Sequence, residues 1–183
     1  MYKPETREHG RSISTGRLVG GGLLWLGLGT LVYLGDRPCG SSYLQGYIQQ
    51  LLPAAGMDGI SFGILGGWLP TFCHVVAWSL ITAGVLALHS KPALAAICLL
   101  WLVINAGFEL GQKYAAAGGK LFTDALPAAG IADIFRNYFT NGTYDTGDLL
   151  AAVLGAGVAF ILLLVITERK GIWSGNSTAA DIL

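Results

Sequence analysis

The sequence predicts an all-α, polytopic integral membrane protein with four transmembrane helices and short interfacial helices in its two outer loops. Three observations carry this. Only 12% of the 183 residues are charged and the mean hydropathy is +0.58, whereas soluble domains carry about 25% charged residues. Four apolar runs, at about 18–35, 69–88, 92–112 and 147–167, are each long enough to cross the roughly 30 Å of a hydrocarbon core. The 27 glycines follow no triplet period, so they fit close helix packing in lipid and not a collagen-like repeat.

Residues 1–17 are polar, carry Lys3, Arg7, Arg11 and Arg17, and read as a cytoplasmic tail. They are too polar to form the apolar core of a cleaved signal segment. The first span, Leu18 to Gly35, holds no charge and is rich in glycine, with Gly20, Gly21, Gly22, Gly27 and Gly29 inside it. Such a run is poor as a soluble helix and good where a neighbouring backbone must come close. The connection 36–68 contains Tyr43, Leu44, Tyr47, Ile48, Leu51 and Leu52 on one helical stripe, interleaved with glutamines and stopped by Pro53. That pattern predicts a short helix lying on the membrane surface. Only His89-Ser90-Lys91 separates the second span from the third, so the two form an antiparallel pair. Residues 113–145 make a second long connection, with Ile131, Ile134, Phe135 and Tyr138 lining one side of another surface helix. The fourth span carries Gly147, Ala151, Gly155 and Ala159 at every fourth position, a small face that packs flush on another helix; Ala152 lies one step off it. Residues 168–183 form a second cytoplasmic tail.

Basic residues set the orientation. With the amino terminus inside, the cytoplasmic segments hold seven (Lys3, Arg7, Arg11, Arg17, Lys91, Arg169 and Lys170). The longer outer connections hold four (Arg37, Lys113, Lys120 and Arg136). The bias places both termini in the cytoplasm. Eleven Lys+Arg balance eleven Asp+Glu, so no net field draws nucleic acid.

The polar residues within the apolar runs are the candidate ligand-binding site. Asn105, Glu109 and Gln112 fall at i, i+4 and i+7 on one face of the third span. A carboxylate in a span costs roughly 2.5–3.5 kcal/mol on insertion scales unless it finds a partner. With these topologies, His74 on the second helix, Glu109 and Gln112 on the third, and Asp145 and Asp148 at the start of the fourth are expected at one depth near the outer leaflet. Such a group suits proton transfer or a polar head group. The alternative is a hydrogen-bond network that ties helix ends together. One histidine and no positioned thiolate do not make a zinc site, and His74 and His89, at opposite ends of one helix, cannot ligate one haem. Cys39, Cys73 and Cys98 show no metal spacing and predict no disulfide. No nucleophile elbow, phosphate loop or His-Glu-x-x-His pattern occurs, and no cofactor is identifiable. Asn141-Gly-Thr143 is a glycosylation sequon that matters only in a secretory-pathway host.

Three segments resemble the VanZ-like family of small bacterial four-span membrane proteins: His74 with Trp78, Glu109-Leu-Gly-Gln112, and Asp148 with Gly155 seven positions on. The resemblance covers about residues 69–167 and implies a bacterial inner-membrane protein of the cell envelope. The chain departs from the family pattern at Gly142, where a basic residue is usual, and at Ala152, where asparagine is frequent. Two functional expectations stand together. One is an outer-leaflet His/Glu/Asp pocket that binds or modifies a lipid-linked or amphiphilic ligand, with membrane lipid as its partner. The other is a non-enzymatic accessory subunit docked on other membrane protein subunits. A transporter is less favoured, since no inverted repeat is evident.

Overall fold

A computed structural model describes residues 5–36, 62–116, 138–139 and 142–174, with side chains placed for 15–36, 62–115, 138–139 and 142–167. Helix is the only regular structure among them: α1 (Glu5–Asp36), α2 (Ile64–Val85), α3 (Lys91–Ala116) and α4 (Thr146–Ser174). Each contains an apolar stretch of at least 22 residues, about 33 Å at 1.5 Å per residue, enough to cross a bilayer. The surface helices expected over 43–52 and around 131–136 lie outside the described residues.

The helix ends differ from the sequence reading: α3 runs on to Ala116 and α4 to Ser174, past the expected ends at 112 and 167. α1 begins at Glu5, so residues 5–17 continue the first span as helix. α2 starts at Ile64, five residues before Leu69, and ends at Val85. Its end is a glycine-type stop made by an alanine: Ala87 takes φ 50°, Ala87 N–H donates to Gly84 O (3.2 Å) and Leu88 N–H to Ala83 O (3.0 Å). Without glycine at the left-handed position, the stop is invisible to a composition search. α3 then opens on Ser90, whose Oγ accepts from Ala93 N–H at 3.4 Å, with Pro92 in the first turn.

α2 is the hub, packing on α1, α3 and α4. Antiparallel packing on α1 follows from the pairs it makes: Gly66 against Asp36 at one end, Gly29 against Cys73, Gly22 against Ala77 and Ile81, and Gly84 against Leu18 at the other. A methyl group on Gly22 would stand 2.8 Å from the Ala77 carbonyl oxygen, so the two main chains touch. On the opposite side of α2, Gly155 of α4 lies against Phe72 and Val75, and Gly147 against the Trp68 indole. Ala151 and Ala159 are buried, but so are Ala152 (1% exposed) and Ala156. The packed face of α4 is therefore wider than the every-fourth-residue stripe, and Ala152 belongs to it. Leu80, Leu94, Cys98 and Leu163 complete the core between α2, α3 and α4. Leu23, Leu24, Val103, Leu154 and Ile161 face outward, as a lipid-bathed bundle requires.

Candidate functional site

The acidic residues gather at one end of the bundle, where α1 and α3 finish and α2 and α4 begin. Asp145 precedes α4, and its Oδ1 accepts from Gly147 N–H at 2.7 Å. This satisfies one of the free donors at a helix start. The other oxygen, Oδ2, accepts from the Trp68 indole N–H of α2 at 3.1 Å. The indole lies where a side chain at 147 would be, which explains the glycine there. One turn in, Asp148 Oδ1 accepts from the Thr71 hydroxyl of α2 at 2.8 Å. Glu109 of α3 is 7% exposed and its Oε2 accepts from Asp145 N–H at 3.2 Å. Gln112, also buried, has its amide against the Gly142 main chain. Anionic groups at the start of α4 are favoured by the helix dipole. Phe139 covers the same end of α3, stacked on Phe108 at 5.9 Å and pressed on Gly111. Lys113 stands 4.7 Å over the Tyr144 ring.

Two expected members of this constellation are elsewhere. Asn105 donates from Nδ2 to its own helix, to Trp101 O at 2.8 Å, whereas the hydrogen bond that Glu109 accepts comes from Asp145. His74 does not join the carboxylates. Because α2 starts at Ile64, His74 lies ten residues in, about 15 Å along the helix and at the middle of the span. It is one turn deeper than Thr71, the residue that reaches Asp148. Its direction differs as well: Thr71 and Val75 meet α4, whereas His74 is exposed and lines a cavity of about 220 Å³ between α1 and α2. Leu26, Gly29, Thr30, Tyr33 and Pro70 complete that cavity. Trp78, one turn further along α2, backs the imidazole with ring centroids 6.1 Å apart, and stacks in turn on Trp101 of α3 at 5.4 Å. Trp101 is fixed by its indole N–H donating to the Thr82 hydroxyl at 3.0 Å.

The expected pocket is thus two features. Glu109, Asp145 and Asp148 join three helix ends through hydrogen bonds, and among the described residues no group of three or more His, Cys, Asp and Glu side chains is placed to hold a metal ion. His74 instead lines a cavity between α1 and α2, one turn deeper than Thr71. Trp68 and Thr71 were not singled out from the sequence. Their signal is positional: they sit two turns and one turn, respectively, before Val75, on the α2 face that meets the small face of α4. No family model, curated protein or solved structure matches the chain.

Proposed function

We propose that this chain is a multi-pass protein of a bacterial inner membrane that binds an amphiphilic or lipid-linked ligand in the cavity between α1 and α2, with His74 as its polar contact. The observation that carries this is an ionisable side chain exposed at the centre of a membrane-spanning helix. Such residues are costly in hydrocarbon and mark ligand or transport sites by default. The carboxylates, by contrast, are engaged in joining helices, which leaves them a structural part. The resemblance of the His74, Glu109 and Asp148 segments to VanZ-like proteins supports placement in the cell envelope. Purification into nanodiscs followed by native mass spectrometry tests the reading. Amphiphiles should accompany the parent protein and be depleted in Leu26→Trp, which fills the cavity; equal retention by both would overturn it.

The seven-to-four basic split supports an orientation with both termini cytoplasmic and the acidic end outward. Cysteines introduced at 113–145 should then react with an impermeant maleimide on intact cells, and those near either terminus should not. The reverse pattern would invert the protein.

A second reading, an accessory subunit of a larger membrane complex, is favoured by one observation. Gly16, Gly20 and Gly27 share the outward face of α1 and have no atom within 4 Å of a side chain built there. This leaves a flat strip on which a partner helix fits.

A further inference from the structure

We infer that the cavity between α1 and α2 takes the planar, uncharged, carbonyl-bearing ring of a lipid-soluble quinone, whose tail lies in the lipid along the same helices. The inference rests on the reading of that cavity as a ligand site and names its ligand class.

Depth, size, hydrogen bonding and ring geometry each narrow the choice. His74 sits about 15 Å into α2, near the bilayer centre. A phosphate or ammonium head group would have to be carried there against a large desolvation cost, so the head is uncharged. The cavity, about 220 Å³, is below the roughly 300–1,000 Å³ of pockets that enclose a whole drug-sized ligand. It accommodates a single substituted ring and leaves the rest of the molecule outside, and hydrocarbon is the solvent a prenyl or alkyl tail needs. The Thr30 hydroxyl already donates to Leu26 O at 2.9 Å, so it offers the cavity lone pairs and no proton. The imidazole of His74 offers an N–H. A ring carbonyl is the uncharged group that accepts from it.

The aromatic lining of the cavity, Tyr33 and His74, favours a flat ring over a saturated chain. His74, Trp78 and Trp101 follow one another with centroids 6.1 and 5.4 Å apart and planes inclined by 29° and 20°. Trp78 and Trp101 stand behind the imidazole and outside the cavity lining, where they set the orientation of His74. The ring that a quinone held by the His74 N–H would meet is Tyr33 of α1. An electron-poor ring gains from an offset stack there, whereas a methylene chain gains only its burial. Pro70 and Gly29 help to shape the opposite wall. Gly29 lies against Cys73, drawing α1 down on α2 on one side of the cavity. The inference concerns binding and includes no electron transfer.

Titration of a decyl-substituted 1,4-benzoquinone into nanodiscs holding the full chain tests it, with tryptophan fluorescence as one readout and quinone retained per protein after gel filtration as the other. Empty nanodiscs give the partitioning background. The parent should show saturable quenching above the linear background and retain quinone. His74→Leu should weaken binding about tenfold, the worth of one hydrogen bond, with its thermal melting unchanged. His74→Gln, which keeps an N–H donor, should recover part of the loss. Quenching that is linear and equal in parent and His74→Leu overturns the quinone assignment. If a decyl-substituted cyclohexane of equal tail length displaces the quinone with equal affinity, carbonyl recognition is overturned while the amphiphile site stands. If neither probe is retained and Leu26→Trp keeps the same co-purifying lipids as the parent, both readings fall.

Discussion

Gly155→Leu is expected to be the most damaging single substitution in the α2–α4 interface. A β-carbon at 155 would lie 2.9 Å from the Phe72 carbonyl oxygen and 3.2 Å from the Val75 β-carbon. The first of these neighbours is helix main chain, which has no rotamer to move into. Overpacking of this kind costs about 1–3 kcal/mol even where side chains can adjust, and the leucine branch adds to it by prising α4 from the hub helix. The control is Gly157→Leu, two residues on. Nothing lies within 4 Å of a β-carbon at 157 and the position is exposed, so a leucine there meets lipid and should leave stability within about 0.5 kcal/mol of the parent. Thermal melting in one detergent reads both. Similar melting temperatures for the two variants would show that α4 does not pack on α2 through this glycine. Ala152 is no such control, since it is as buried as the residues of the small stripe.

The four spans were legible in the sequence because lipid imposes a length and an apolarity on each helix that composition reveals directly. Their ends were less so. The five residues Ile64 to Trp68 that precede the expected start of α2 include Gly66 and Gly67, which lower helix propensity in water. Here they serve packing, since Gly66 must admit the Asp36 side chain. The missing turn and a half, roughly, then misplaced the site. Counted from Leu69, His74 falls near the surface, level with the carboxylates; counted from Ile64, it falls at mid-membrane. Spacing within one helix is fixed by the 100° step and was read correctly for Glu109 and Gln112, both of which are buried at the α4 junction. How two helices rotate against each other depends on which glycines touch, and glycines lie on several faces of α1 and α2. Gly22 and Gly29 meet α2 while Gly20 and Gly27 meet nothing, a division that hydropathy does not encode. The same ambiguity hid the side of α2 on which His74 lies.

Glu109→Ala is expected to lower stability by about 0.5–1.5 kcal/mol for the part-buried hydrogen bond that its side chain accepts. The donor is Asp145 N–H, held by Glu109 Oε2 at 3.2 Å at the start of α4, where the helix itself supplies no acceptor. The effect should not stop at one bond. Asp145 also caps Gly147 and receives the Trp68 indole, so loosening its main chain disturbs the point at which α2, α3 and α4 meet. Glu109→Gln separates charge from shape. Its amide oxygen has the reach to accept from the same N–H, so folding should stay close to the parent. Because the residues that line the His74 cavity all come from α1 and α2, ligand retention in nanodiscs should also be unchanged in Glu109→Gln. Loss of ligand in a Glu109→Gln protein that melts like the parent would make the carboxylate part of the binding site. It would restore the single pocket that the positions of Thr71 and His74 on α2 now divide.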